Sequence, residues 1–544
     1  MSAKENFYFE LLPIEIHLFH LQDAEPLKPE QSLVEMASLI EQTSLQPIRS
    51  SLHQVLQEDN EEEYLKICKE IANALRWLEY LSKARKEILQ TDALPKNEVE
   101  ALEHIKAQLQ AWSKQLTPCM HAVLQKREKK YKDVASILKK TIDFMEEQTT
   151  TRAKKIFLDF QNIGNDRYAP IQANLDHFFA QLRAHADPIL RFIQPNVAAW
   201  NAKVLSSGRG FLIPPSGDLP CSILFSLKGQ CRLIFEDIGH LLGYGADKLV
   251  FRSICLPQGE VQALIQPLTH KESPEINTPS LLELRKKDQL LAIWSETELL
   301  YLFKKDRGII SIHERMFFDI EGEKKLFLVE DYYWDGSLGE YLKYAINGKI
   351  EAAKLPPNVQ REVISDLLHG LAAVHQHQIV HHDMKPHNIL LDMERKQNKA
   401  VLADFHQATH ISNKEKIPNL AFLPIWAPPE YARIPFMLEP SDEELIQEQL
   451  LITTGKLDVW GLGVTFYMLI GYELPFWIQK MKAAGPPLDE IEVFRMVAEL
   501  PKGWLPDFLK ASPYFSLLEK MLEPDPKDRC TALEALEILK SLGE

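Results

Sequence analysis

The stretch IVHHDMKPHNILLD holds Asp383, Lys385 and Asn388. A carboxylate, a cation two residues on and an amide five residues on can converge in one turn-like loop. That set suits phosphoryl transfer: the carboxylate orients a hydroxyl nucleophile, the lysine neutralises the moving phosphoryl group, and the amide oxygen binds a metal. Sixteen residues past Asn388, Asp404 follows the apolar Val401-Leu402-Ala403. This places Asp404 at a strand end, where it can complete a metal site. His381, His382, His387, His406 and His410 crowd the same region, and a histidine metal site is the competing reading. The expected metal is instead Mg²⁺, a hard ion that prefers oxygen ligands, here Asn388 and Asp404.

These residues need a scaffold, and the chain divides in two. From about 56 to 205, apolar residues recur at three- and four-residue steps: Tyr64, Cys68, Ile71, Leu75, Leu78; then Leu102, Ile105, Leu109, Trp112, Leu116; then Val134, Leu138, Ile142, Met145; then Leu175, Phe178, Phe179, Leu182. One-sided stripes of this kind predict an antiparallel bundle or coiled coil, broken at Leu94-Pro95. Residues 1–55 are left unassigned. The segment 206–224, with SSGRGFLIPPSGDLP, reads as a linker. After it come strand-like runs at Ser222–Leu227, Leu233–Phe235 and Leu249–Ser253, and helical periodicity returns from about 290. Strands first and helices later suit one α+β domain over 225–544.

Composition excludes other classes. The chain has 544 residues and a formal net charge of −15, with 45 % hydrophobic and 26 % charged residues. A wholly disordered chain is ruled out, and the acidic balance argues against binding nucleic acid through overall charge. The local basic cluster Lys126, Arg127, Lys129, Lys130, Lys132 reads as a solvated helix face rather than a contact for an anionic surface. The six cysteines, none in a Cys-x-x-Cys pair, suggest neither a zinc site nor a disulfide framework. No membrane span is expected, and the N-terminus is a poor Sec signal. A cytoplasmic location follows, with export by a non-Sec route left open.

The catalytic-loop residues resemble those of eukaryotic-type serine/threonine protein kinases, whose loop reads H-R-D-L-K-x-x-N. Here it is His381 through Asn388, followed by Asp404-Phe405-His406. WAPPEY, with Pro429 and Glu430, resembles the family's A-P-E segment. DVWGLGV, with Asp458, Trp460 and Gly463, resembles the helix whose aspartate anchors the loop, and Arg529 stands where the family pairs an arginine with the A-P-E glutamate. FLVEDYYWDGSLGEYL resembles the hinge, with Val329 as gatekeeper and Glu330 leading it. The resemblance covers about 230–544. It implies a bilobal fold, with a five-stranded N-lobe and one helix (about 225–330) over a mostly helical C-lobe (about 331–544).

The nucleotide end departs from the family. In LLGYGADKLV, Gly243, Gly245 and Val250 resemble the glycine-rich loop, but Lys248 stands where its third glycine belongs. GEVQALIQPL resembles the third strand, with Ala263 lining the adenine pocket, and the lysine position is then Ile265. The with-no-lysine kinases have this placement, so Lys248 can supply the missing charge, paired to Glu298 of WSETELLYLF, with Glu296 as the other register. His382 replaces the arginine that grips a phosphorylated activation loop, so control by such a phosphate is not expected. His406 replaces the glycine of D-F-G, and Leu423 falls where these kinases carry a threonine. The acidic LEPSDEELIQEQLL looks like an insertion, a surface helix or a docking site for a basic partner.

The resemblance implies an ATP-dependent kinase acting on a protein substrate. Asp383, Lys385, Lys248 and Glu298 would be catalytic. Gly243, Gly245, Val250, Ala263, Glu330 and Leu390 would hold ATP, with Mg²⁺, or Mn²⁺, at Asn388 and Asp404. The alternatives are a pseudokinase scaffold and a small-molecule or lipid kinase of the same fold. The N-terminal helices are expected to bind a protein partner or to regulate.

Overall fold

Helices form where the apolar stripes predict them. The computed structural model describes Val34 and residues 45–57, 60–158, 168–216, 219–235, 248–267, 296–320, 323–348, 354–393, 397–411, 426–436, 454–484 and 490–542. Among the described residues six named helices come first: α1 (Gln46–Gln57), α2 (Glu61–Leu89), α3 (Lys96–Gln115), α4 (Thr117–Lys130), α5 (Val134–Leu158) and α6 (Tyr168–Ser207). The Leu94-Pro95 break separates α2 from α3, with Pro95 at the N-cap of α3. Ile105, Leu109, Leu138, Ile142, Phe179 and Leu182 of the stripes are buried. The basic cluster does not lie wholly in solvent. Lys126, Lys129, Lys130 and Lys132 are exposed, but Arg127 is buried, because its guanidinium pairs with Glu61 at 2.9 Å and Asn201 at 3.2 Å.

A seven-stranded sheet follows, in the order β1-β2-β3-β4-β5-β7-β6. Its strands are β1 (Phe211–Ile213), β2 (Ser222–Phe225), β3 (Cys231–Ile234), β4 (Lys248–Leu256), β5 (Glu260–Pro267), β6 (Ile312–Ile320) and β7 (Glu323–Asp331). The first four neighbour pairs are antiparallel. Five strands were expected. The strands beyond those five are β1, which arises within the expected linker 206–224, where Phe211 and Leu212 give the Gly/Pro-rich stretch enough apolar surface to join the sheet, and β2, which falls on the strand-like run expected at Ser222–Leu227. Phe211 stacks on Phe225 with ring centroids 5.5 Å apart, and Trp200 of α6 packs against both rings. Gly208, at φ +66°, turns the chain out of α6 where a Cβ would lie 2.6 Å from that of Ala72. The sheet core gathers Leu212, Leu224, Ile234, Leu264, Met316, Phe327 and Val329.

The chain forms two compact units. One contains Met1–Glu147, Ala173–Ser273 and Glu314–Val329, and therefore both the first helices and most of the sheet. The other contains Gln148–Gln172, Pro274–His313 and Glu330–Glu544. In this second unit lie a helix over 296–302 (α7), then α8 (Leu338–Gly348), α9 (Pro357–Gln376), α10 (Pro429–Ala432), α11 (Lys456–Gly471), α12 (Phe476–Ala484), α13 (Glu490–Ala498), α14 (Phe515–Met521) and α15 (Ala532–Ser541). Its described residues also form two small sheets. One joins β8 (Gly336–Ser337), β10 (Ile389–Leu391) and β11 (Ala400–Leu402); the other pairs β9 (Ile379–Val380) with β12 (Thr409–His410). Helix α11 is apolar on every side and is buried from Leu457 to Leu469, which makes it the unit's central pillar.

Candidate functional site

The loop that carries Asp383, Lys385 and Asn388 is built between β9 and β10, each of which is held in a small sheet. Asp383 is buried, and Lys385 Nζ lies 3.0 and 2.7 Å from its two carboxylate oxygens. Asn388, closing a 3₁₀ turn with Pro386 and His387, donates from Nδ2 to Asp383 Oδ2 at 2.7 Å and to its main-chain oxygen at 2.9 Å. Three residues that the sequence spacing puts in one loop do converge. Both Asn388 contacts use the amide nitrogen, which leaves the amide oxygen as an acceptor.

The loop backbone is fixed by Asp458 in the first turn of α11. Its carboxylate accepts the N–H of His381 at 2.7 Å and of His382 at 2.9 Å, and His375 Nε2 lies 3.0 Å away. Burial alone would raise the Asp458 pKa. The hydrogen bond with His375 and the charges of His375, His381 and His382 outweigh that, and hold the carboxyl below the usual range. His382 sits at φ +65°, a left-handed conformation costly for a non-glycine residue, and the two amide bonds to Asp458 hold it there. Its ring is buried, with Nε2 2.8 Å from Thr409 Oγ1. Burial lowers its pKa to about 4, with Asp458 opposing and His381 adding to the drop.

Asp404 follows β11 at φ +66°, and His406 Nδ1 lies 2.8 Å from its Oδ1. Glu296 is buried on α7, and its Oε1 accepts the N–H of Phe405 at 2.9 Å. Glu298, the first choice for the helix glutamate, is exposed. Residues two apart lie about 200° apart around a helix, so only one of the pair can face inward. His381 is buried against Phe405, with ring centroids 4.6 Å apart and Nε2 3.1 Å from Ala403 O. Gly339 packs directly on the His387 ring, whose pKa burial lowers.

The other candidates are placed as follows. Val250 lies on β4 opposite Ile265, and Ala263 and Ile265 are buried on β5. An aliphatic Ile265 offers no cation. Lys248 opens β4 opposite Pro267, and the orientation expected of its side chain falls outside what is described. Gly243, Gly245, Leu423 and the acidic LEPSDEELIQEQLL lie outside the described residues. Glu330 is buried beside the core residue Val329, and Leu390 is half-buried on β10. Glu430 and Arg529 form a buried two-pronged pair at 2.7 and 2.8 Å. The Arg529 guanidinium lies 5.0 Å from the Trp460 ring centroid and also donates to Lys456 O at 2.9 Å.

Sequence reasoning missed Thr409 and His375, which match no motif letter; Thr409 lies 27 residues beyond His382, and His375 falls in the last turn of the preceding helix. Among the described residues no group of three or more His, Cys, Asp or Glu could hold a metal ion. One amide oxygen and one carboxylate, at Asn388 and Asp404, are the hard oxygen donors that suit a divalent cation bound together with phosphates. No described helix is long and apolar enough to cross a membrane.

Residues 280–539 match the family model described as protein kinase domain. The chain is similar to the phosphorylase b kinase gamma catalytic chain, liver/testis isoform, of Bos taurus, at 27 % identity over 309 residues, covering 55 % of this chain and 64 % of that protein. The Homo sapiens protein of the same description is 28 % identical over 303 residues, with 55 % and 64 % covered. The chain thus spans less than two thirds of the length of these relatives. Sequence and architecture agree that a helical region precedes a domain of protein-kinase type, with a sheet-bearing part and a helical part.

Proposed function

We propose that the chain transfers the γ-phosphoryl group of ATP to a serine or threonine hydroxyl of a protein substrate. The observation that carries this is the Asp383 carboxylate, held by Lys385 and Asn388 inside the catalytic loop. In this reading the substrate oxygen forms a bond to the γ-phosphorus, the bond to the bridging oxygen of ADP breaks, and the hydroxyl proton passes to Asp383. Lys385 steadies the charge on the transferring group. Asn388 and Asp404 would hold Mg²⁺ or Mn²⁺, which supplies charge neutralisation at the phosphates. Lys248 takes the phosphate-binding role that Ile265 cannot fill. Glu296 holds the backbone beside Asp404 through the Phe405 N–H. The similarity to a phosphorylase kinase catalytic chain supports serine/threonine rather than tyrosine transfer.

The buried Ile265 favours a second reading, a scaffold without transfer. A γ-phosphate transfer assay with Mg²⁺ or Mn²⁺ separates the two. Asp383→Ala is expected to lower the rate about 10²- to 10⁴-fold with the fold retained. Lys248→Met is expected to lower it about 10²- to 10³-fold, and Ile265→Lys on that background to restore part of it. A wild-type protein with no transfer establishes the scaffold. Transfer by Lys248→Met at the wild-type rate removes Lys248 from the mechanism.

A further inference from the structure

The β4–β5 hairpin carries Lys248 and Val250 toward its open end and Ala263 at mid-ladder opposite Arg252, the positions assigned above to the nucleotide. Its closed end is the turn at 257–259, and this end is tied to the N-terminal helices. The Tyr131 hydroxyl, just past the end of α4, is buried 3.0 Å from Gly229 O and 3.1 Å from Leu256 O. One phenol thus joins the β2–β3 turn to the end of β4. The ladder sets Cys231 of β3 opposite Leu256 of β4, so the two carbonyls belong to neighbouring strand ends. Thr141 of α5 shares its hydroxyl between Ile137 O at 2.9 Å and Gly259 O at 3.0 Å.

Both turns are seated without slack. Gly229 has φ +70°, and a Cβ there would lie 2.6 Å from Asn201 Oδ1 and 2.7 Å from Arg127 Cδ. Gly259 has φ +75°, and a Cβ there would lie 2.6 Å from Ile137 Cγ2 and 2.7 Å from Thr141 Oγ1. Apolar packing alone would hold helices against a sheet. Directional bonds to the carbonyls of two turns add something else, because they set where those turns sit. An antiparallel strand pair is stiff along its length, so a shift of the turn is carried to the other end, roughly 20 Å away at about 3.4 Å per residue.

We propose that the N-terminal helices brace the nucleotide-binding hairpin, with Tyr131 and Thr141 as positioning residues for ATP; this rests on the nucleotide reading above. The test uses the full chain and measures the Kd for Mg-ATP by equilibrium titration, kcat at saturating ATP, and amide exchange over 249–256 and 260–266. Tyr131→Phe and Gly259→Ala are expected to weaken Mg-ATP binding about 5- to 20-fold, the range of a modest coupling between sites, and to leave kcat within about two-fold. Amide exchange in the hairpin is expected to quicken in both. Ile105→Ala, which thins buried packing on α3, serves as the control that lowers stability without touching the turns. An unchanged Kd in Tyr131→Phe and Gly259→Ala, with hairpin exchange also unchanged, overturns the brace. An equal loss of affinity in Ile105→Ala also overturns it, since the effect would then follow stability alone. Should Gly259→Ala fail to fold, Tyr131→Phe and Thr141→Val carry the test. Wild-type protein that binds no Mg-ATP overturns the nucleotide reading instead, and the exchange measurement then decides the brace by itself.

Discussion

The loop of Asp383, Lys385 and Asn388 and the hairpin turns of the sheet are both fixed by groups from outside themselves, but with different chemistry. The loop is held by charge. Asp458 takes two backbone amides, Lys385 neutralises Asp383, and Arg529 ties Glu430 to the start of the helix that carries Asp458. The turns are held by neutral hydroxyls of Tyr131 and Thr141 and by glycines with no room for a side chain. A buried charge that loses its partner is stranded, whereas a neutral carbonyl that loses a hydroxyl loses one modest bond. The loop should therefore fail abruptly, and the turns should loosen by degrees.

The largest effect tests that contrast at the Glu430–Arg529 pair, whose side chains are 1 % and 0 % exposed. Glu430→Ala leaves a buried guanidinium without its carboxylate, and urea unfolding should show a loss of about 3–5 kcal/mol. The Trp460 ring and the carbonyls of Glu523 and Lys456 remain to Arg529, which keeps the loss from being larger. A loss under about 1 kcal/mol would show that these neutral contacts alone suffice, and the contrast would fall.

His382 gives the next effect, and it depends on pH. The folded protein takes up its proton only near pH 4, whereas the unfolded chain does so near the ordinary value of about 6.5. Between these values the unfolded state binds more protons, so stability falls as the pH falls. The loss begins below about pH 6.5 and is complete near pH 4, where it amounts to about 3 kcal/mol. His382→Gln should flatten this part of the curve in unfolding measured from pH 7 to 4. A variant with the wild-type slope would assign the acid loss to other groups.

The loop was legible because Asp383, Lys385 and Asn388 lie within six residues, so spacing alone nearly dictates their geometry. The strand-to-loop context of Asp404 was legible for the same reason. Two glutamates two positions apart satisfy the same motif, and only the packing shows that Glu296 is the one turned inward. Strand β1 was hidden by composition, since three apolar residues among glycine, serine and proline carry little signal until Trp200 packs on them. The Tyr131 bonds span 98 and 125 residues of sequence, and Tyr131 reads locally as the end of a basic helix. Arg127 shows the same limit, because a run of charges does not reveal which member turns inward toward Glu61.

Thr141 gives the smallest effect and marks the other end of the comparison. Thr141→Val keeps the side-chain volume and removes only the hydroxyl, leaving Gly259 O without that bond; the Ile137 carbonyl keeps its place within α5. The expected loss is about 1 kcal/mol, that of one neutral hydrogen bond, read as a small shift of the urea midpoint with an unchanged slope. Thr141→Ser restores the donor and should recover most of it. The two substitutions together matter more than either size alone. If Thr141→Val costs as much as Glu430→Ala, the turn is a cooperative part of the fold like the loop, and charge is not what separates the two regions. If it costs about 1 kcal/mol and yet weakens Mg-ATP binding, the bond's main consequence lies in where the hairpin is held.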